Sequence, residues 1–374
     1  MSENNFRAKI EKLLETADVR INGDRDWDIQ IHNDDLFARV FSGGSLAFGQ
    51  AYMDGWWDCQ RIDKFFCQIL RARLDERVRS RTWYLAALKA RLCNLQKPSR
   101  AFQIGQHHYD IGNKLYQCML DKRMIYSCGY WKTADNLDAA KEAKMDLICR
   151  KLNLQPGMRL LDIGCGWGGT ARFVAERYQA EVVGITVSEQ QAAFGREQCR
   201  GLPVDIRLQD YRQIDETFDR IVSIGMIEHV GYKNYATFMR TVRRCLKADG
   251  LFLLHSIGGN RSVTRSDPWI ERYIFPNSML PSAEQLMSAV EGIFVLEDWH
   301  SFGVDYDTTL MQWFRNFREN WDTLKTDYDN RFYRMWQYYL LSCAGAFRAR
   351  GIQLWQLVFS SEGLLGGYRT PRYN

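Results

Sequence analysis

The segment LLDIGCGWGG at 160–169 constrains this chain more than any other. An apolar run ends there in Asp162, glycines follow at Gly164, Gly166, Gly168 and Gly169, and a helical pattern begins near Thr170. A backbone without Cβ turns tightly and lets a ligand approach, while the first turn of a helix leaves N–H groups unpaired for an acceptor. The spacing Asp-x-Gly-x-Gly-x-Gly differs from the G-x-G-x-x-G of dinucleotide folds. A dinucleotide site and a glycine-rich turn with no ligand are the competing readings.

Around this loop, short β-type runs alternate with helical segments: RLLDIG (159–164), EVVGIT (181–186), VDIRL (204–208), FDRIVSI (218–224), LFLLHSI (251–257), IFVLEDW (293–299) and LWQLVFS (354–360). Such alternation predicts an α/β fold with a mostly parallel sheet. Residues 306–349 are rich in Trp, Tyr and Phe with helical periodicity, and are expected to wrap a pocket. Before residue 70, GDRDWDIQIHN (23–33) reads as a short strand pair and GSLAFGQAYMDGWWD (44–58) as a helical turn. The chain is therefore divided into a small N-terminal domain (1–70), a linker helix (71–104) and a catalytic domain (105–374).

The linker holds nine Lys and Arg between 71 and 100 against Asp75 and Glu76, with Leu74, Val78, Leu85, Leu88, Leu92 and Leu95 on one helical face. A basic amphipathic helix of this kind fits a membrane surface, although its stripe would equally pack on the protein or on a second subunit. Nucleic acid is a poor fit, because the charge is local and no recognition motif accompanies it. Ten cysteines lack a CxxC pair or zinc spacing, so reduced core thiols and no metal site are expected. The N-terminus has no signal-peptide run, and apolar runs stop short of the roughly 20 residues that span a bilayer. Composition, with 46% hydrophobic and 25% charged residues, excludes disordered and collagen-like classes.

The glycine loop resembles motif I of class I S-adenosylmethionine methyltransferases. The next strand ends in Thr186 where many relatives of that fold carry an acid for the ribose, so Thr186 and Gln191 are expected to substitute. Asp210 and Tyr211 follow the third strand, where an acid can accept from the adenine amino group and an aromatic can stack. Plain aromatic packing is the alternative for Tyr211.

HYDIGNKLYQCMLDKRMIYSCGYW (108–131), SIGMIEHVG (223–231), LLHSIG (253–258), YIFPNSMLPS (273–282) and DYDTTLMQW (305–313) lie in that order about the loop. As a set, together with GSLAFGQAYMDGWW near the N-terminus, they resemble cyclopropane-fatty-acyl-phospholipid synthases of the bacterial, phospholipid-acting branch. The resemblance implies a class I S-adenosylmethionine-dependent methyltransferase fold, Rossmann-like with a seven-stranded sheet. It implies transfer of a methylene group from S-adenosylmethionine to the cis double bond of an unsaturated phospholipid acyl chain, giving a cyclopropane. It further implies a bicarbonate held by Cys128, Glu228, His255, Tyr306 and the Ile257 backbone. Cofactor contacts carried over are Tyr126, Ser127, Gly164, Thr186, Gln191 and Tyr211; the loop reading adds Asp162, Gly166, Gly168 and Asp210.

An alkene that attacks a sulfonium methyl leaves positive charge on the acyl chain, and a proton must leave before the ring closes. Bicarbonate fits as that general base. Tyr126, Tyr130, Trp131, Tyr273 and Phe275 are candidates to face the cation, at about 1–2 kcal/mol each when desolvated, or are simply core aromatics. A buried thiol at Cys128 and a core histidine at His255 are the plain structural alternatives. The family makes a homodimer and peripheral attachment to the inner face of the membrane, from the cytoplasm, the expected setting. A small-amine methyltransferase, an enzyme making a methyl-branched chain and a silent lipid-binding protein are the rival functions.

Overall fold

The computed structural model describes residues 3–74 and 112–371. Beyond Leu74, the basic helix expected over 71–100 lies outside the described residues, as do the first residues of the 108–131 segment. Contacts divide the chain into two units: residues 1–93, 264–276 and 306–352 form one, and 94–263, 277–305 and 353–374 the other.

The second unit is built on one sheet. Its strands are β3 (Arg159–Ile163), β4 (Glu181–Thr186), β5 (Val204–Leu208), β6 (Phe218–Ile224), β7 (Leu246–Gly259), β8 (Val295–Ser301) and β9 (Ile352–Ser360), in the order β5-β4-β3-β6-β7-β9-β8. Pairs β3–β4, β3–β6, β4–β5 and β6–β7 are parallel, and β8–β9 is antiparallel. Both faces are covered, which explains why the parallel strands read as near-continuous apolar runs. Leu161, Ile163, Val183 and Ile185 pack with Phe238 and Val242 of the helix Tyr235–Cys245. Their neighbours Leu160, Val182 and Val222 pack with Met145 and Ile148 of the helix Leu137–Lys151 and Val174 of the helix Gly169–Tyr178. Strand order reverses between β3 and β6, and ligands of open α/β sheets bind at such a switch point.

All seven strands fall where apolar runs predicted them, with shifted ends. β7 starts at Leu246 instead of 251, and its register slips opposite Phe218 and Arg220. β8 sits two residues later than the 293–299 run.

The first unit is mostly helical, with the helices Glu3–Glu15, Leu36–Met53, Ile62–Arg71, Pro268–Tyr273, Trp321–Leu324 and Asn330–Arg348 and most of Val304–Glu319. Two expectations are corrected here. The 23–33 segment does not fold back as a strand pair; it holds only β1 (Gln30–Ile31), which pairs antiparallel with β2 (Trp57–Asp58). Nor is 44–58 a single helical turn, since residues 44–53 continue the 18-residue helix Leu36–Met53, kinked at Gly44. Trp57, fully buried, fixes the distant pairing by stacking on Phe48 at 4.4 Å and packing on Phe65. Among the described residues no helix is long and apolar enough to cross a membrane.

Candidate active site

β3 ends beneath the glycine loop. Gly164 has φ +85°, and its N–H and that of Cys165 both donate to the Ile185 carbonyl at 3.0 Å, tying the turn to β4. A Cβ on Gly169 would lie 2.2 Å from the Arg123 carbonyl oxygen, so the helix that starts there approaches the 121–125 backbone only because it starts with glycine. Gly166 and Gly168 complete the loop, both at positive φ. Asp162 is buried, and its Oδ2 has no hydrogen-bond partner among the described residues; burial raises its carboxyl to about 7, partly offset by the Lys144 ammonium.

The remaining expected cofactor positions also lie in this unit. At the end of β4, Thr186 Oγ1 donates to Gln191 Oε1 at 2.7 Å, joining the two residues expected to replace the usual acid. Asp210 accepts from Arg212 through both carboxylate oxygens, at 2.8 and 2.6 Å, so its ligand in this structure is a guanidinium. Tyr211 belongs to the buried core, edge-on to Phe238 at 5.3 Å. Tyr126 packs edge-on against Tyr116 at 5.2 Å, and Tyr116 in turn lies 4.8 Å from Trp167 of the loop, whose Nε1 donates to Asn113 Oδ1. Asn113, Tyr116 and Trp167 were not singled out from sequence; Trp167, inside the loop motif, was the available signal.

Ser127 is held by two buried lysines. Lys141 Nζ donates to the carbonyls of Ile125 (2.9 Å) and Ser127, and Lys144 Nζ to Ser127 Oγ at 3.2 Å. Both are fully buried, which lowers Lys141 to about 7 and Lys144 to about 8. The signal for them was available: lysines at 141, 144 and 151 recur among apolar residues of one helical face. Cys128 follows, fully buried, its thiol donating to the Gly129 carbonyl at 3.0 Å.

Glu228 lies just beyond the end of β6, and His255, within the adjacent parallel strand β7, pairs with Ile224, the last residue of β6. Glu228, in the short helix Ile227–Val230, is fixed from two sides: its Oε1 accepts from the Ile257 N–H at 2.7 Å, and its carbonyl accepts from the Met279 N–H at 2.9 Å. Oε2 is buried and has no hydrogen-bond partner among the described residues. Burial raises this carboxyl to about 7, against the lowering effect of the Ile257 amide. The Ile257 amide, expected to face bicarbonate, is thus directed in this structure at Glu228.

His255 Nδ1 lies 3.3 Å from Gln356 Nε2 of β9. An amide nitrogen only donates, so Nδ1 accepts and the proton sits on Nε2. That Nε2 is buried without a hydrogen-bond partner among the described residues. Burial, reinforced by the Lys144, Lys151 and Lys141 charges, holds the imidazole well below its usual value and therefore neutral. Gln356 was also missed; no local pattern marks a glutamine in an apolar strand as the partner of a histidine 101 residues away.

Tyr130 and His255 both pack on Phe302, at 5.4 and 5.9 Å, and the Trp131 N–H donates to Asp305 Oδ2 at 2.7 Å. Tyr306, Tyr273 and Phe275 belong to the first unit. There Tyr306 stacks on Phe347 at 4.7 Å, Tyr273 OH accepts from Gln50 Nε2 at 2.9 Å, and Phe275 is edge-on to Tyr339 at 5.8 Å. Among the described residues no three His, Cys, Asp or Glu side chains are grouped to hold a metal ion, and all nine described cysteines are free thiols.

These atoms fit the implied ligands. A buried carboxylate oxygen that needs a donor and a buried imidazole N–H that needs an acceptor suit a hydrogencarbonate ion, which offers one O–H and several acceptor oxygens. The unpaired Asp162 oxygen beside a glycine turn fits the amino-acid end of S-adenosylmethionine.

The family model described as mycolic acid cyclopropane synthetase matches residues 96–357. The cyclopropane-fatty-acyl-phospholipid synthase of Escherichia coli K12 is 52% identical over 373 residues, covering 99% of this chain and 97% of that protein. Cyclopropane mycolic acid synthase 3 of Mycobacterium tuberculosis is 36% identical over 65% of this chain and 91% of its own length. Among solved structures, the cyclopropane synthase MmaA2 from Mycobacterium tuberculosis superposes with a TM-score of 0.66 at 32% identity, covering 72% of this chain and all of that one. Mycolic acid cyclopropane synthase CmaA1, in complex with SAH and CTAB, gives 0.64 at 34% identity over 69% and 97%. This chain belongs to the mycolic acid cyclopropane synthetase family of S-adenosylmethionine-dependent enzymes.

Proposed function

We propose that the protein converts the cis double bond of an unsaturated phospholipid acyl chain into a cyclopropane. The observation that carries this reading is two buried atoms without hydrogen-bond partners among the described residues, Glu228 Oε2 just beyond β6 and His255 Nε2 opposite the last residue of β6. Simple methylation of an amine needs no such oxyanion cradle. The relative that is 52% identical along its length is named for a phospholipid substrate.

S-adenosylmethionine, when bound, supplies the carbon that becomes the ring methylene. Bicarbonate, when bound, supplies a base of suitable strength for the proton that must leave. The chain does the rest. Glu228, steadied by the Ile257 amide, accepts through Oε2, and His255, its tautomer set by Gln356, donates through Nε2–H. Cys128 and Tyr306 are the further candidates for that cradle. Gly164, Gly166, Gly168, Asp162, Tyr126, Ser127, Thr186, Gln191, Asp210 and Tyr211 make the candidate cofactor site. Tyr130 and Trp131 lie close in sequence to Cys128 and would shield the charge that develops on the acyl chain. Burial of the site keeps water from quenching that charge.

The substrate lies in a bilayer, so the enzyme would work from the cytoplasm on the inner face of the membrane. The basic stretch within 71–104 is the proposed contact, and the N-terminal residues 1–70 the proposed surface for lipid or for a second copy in a homodimer.

The test is mass spectrometry and proton NMR of acyl chains after incubation of the protein with S-adenosylmethionine, bicarbonate and vesicles of unsaturated phospholipid. A gain of one CH2 with cyclopropane protons is expected. Olefinic or branched-methyl signals at that mass would overturn ring closure, and no gain would favour a small-amine acceptor.

A further inference from the structure

We infer that Lys144 anchors a carboxylate-class anion between Ser127 and the end of β3, with Asp162 as the opposite charge beside it. The ligands considered rest on the reading above.

Lys144 and Asp162 share one face of the sheet. Leu160 packs with Met145 and Ile148 of the helix Leu137–Lys151, and residue 162, two positions along the strand, points the same way. The Lys144 side chain is fully buried, yet Ser127 Oγ is its one hydrogen-bond partner among the described residues, at 3.2 Å. An ammonium has three donors. Asp162 Oδ2 is equally buried and has no hydrogen-bond partner among the described residues. Two opposite charges sealed from water and not joined to each other are costly unless something between them supplies complementary groups.

Lys141 shows the contrast. Its ammonium is engaged by two backbone carbonyls and fastens the 125–127 backbone, whereas Lys144 keeps donors to spare. The ionisable groups that face Lys144 are Asp121, Cys128, Asp162, Cys149, Lys141 and His255. Burial brings Lys144 down to about 8 and Asp162 up to about 7, so each is close to losing its charge. An arriving anion would restore the ammonium, and an arriving ammonium the carboxylate. Two anions of this chemistry are at hand: the amino-acid carboxylate of the cofactor, whose own ammonium would meet Asp162, and the bicarbonate proposed beside Cys128, next to Ser127.

The experiment is calorimetry on the full chain and on Lys144→Met, which keeps the apolar stem and removes the charge. The probes are S-adenosylhomocysteine, methylthioadenosine, which lacks the amino-acid end, and bicarbonate added to the S-adenosylhomocysteine complex. Loss of a buried charged anchor weakens its ligand by roughly 30-fold or more. If S-adenosylhomocysteine weakens that far while methylthioadenosine is unchanged, Lys144 holds the cofactor carboxylate. If only bicarbonate weakens, it holds bicarbonate. Unchanged affinity for both anions, or equal weakening of methylthioadenosine, overturns the inference.

Should Lys144→Met fail to fold, wild-type protein labelled with ¹³C at the lysine ε position decides. S-adenosylhomocysteine or bicarbonate should raise the titration midpoint of a low-titrating lysine, and methylthioadenosine should not; no shift with either anion overturns the inference. None of these readings requires turnover, so they fail separately from the cyclopropane assay.

Discussion

The Ile257 N–H donates to Glu228 Oε1 at 2.7 Å, and this single bond decides which oxygen of the carboxylate remains for a ligand. Oε2 is left buried just beyond the end of β6, with no hydrogen-bond partner among the described residues. Glu228→Gln should keep the Oε1 contact and turn the other position into a donor, where the proposed hydrogencarbonate needs an acceptor. Activity should fall by about 10²–10³-fold, read as cyclopropane formed per enzyme, with the melting temperature little changed. Turnover at the wild-type rate would remove Glu228 from the proposed site.

Burial raises the Glu228 carboxyl from an ordinary 4.5 to about 7, so the folded protein binds this proton more tightly than the unfolded chain. The stability it contributes is therefore complete below about 4.5 and is lost as pH rises through 7. The melting temperature of ligand-free wild type, relative to Glu228→Gln, should fall steadily between pH 5 and pH 8, in differential scanning at matched ionic strength. Taking the difference cancels His255, whose lowered value works in the opposite direction as pH falls.

Gln356 donates to His255 Nδ1 and so keeps the proton on Nε2. Gln356→Glu puts an acceptor in that place and should move the proton to Nδ1. Nitrogen-15 shifts of the imidazole would report the exchange of tautomers, and activity should drop about 10–100-fold, as for other groups that orient a functional histidine. An unchanged tautomer would mean that Gln356 does not orient the ring.

Gly169→Ala would set a methyl 2.2 Å from the Arg123 carbonyl oxygen, a backbone atom that cannot rotate aside. A loss of roughly 1–3 kcal/mol is expected in denaturant titration, together with weaker S-adenosylhomocysteine binding as the loop shifts. No change in either would show that the helix start can move away from residues 121–125 at no cost.

The sequence by itself determined the sheet and its loop. The runs of β3, β4, β6, β7 and β9 became strands because strands covered on both faces are apolar along most of their length, the half-exposed edge strands β5 and β8 carry a weaker pattern, and the glycine spacing after Asp162 allows little but a tight strand-to-helix turn. The sequence also put Thr186 at the end of β4 and Glu228 just beyond β6, the edge where such sheets bind ligands, with His255 opposite the last residue of β6; the roles of these residues came from the resemblance alone. Tertiary structure decided what depends on partners distant in the chain. It paired β1 with β2 instead of within 23–33, because Trp57 needed the Phe48 and Phe65 rings. Strand order β7-β9-β8 brought Gln356 to His255. It turned the Ile257 amide to Glu228, and packed residues 264–276 and 306–352 with the N-terminal stretch. Periodicity reports which face of an element is buried; it carries no information on which buried polar atom will meet which, since that is fixed only when distant segments pack.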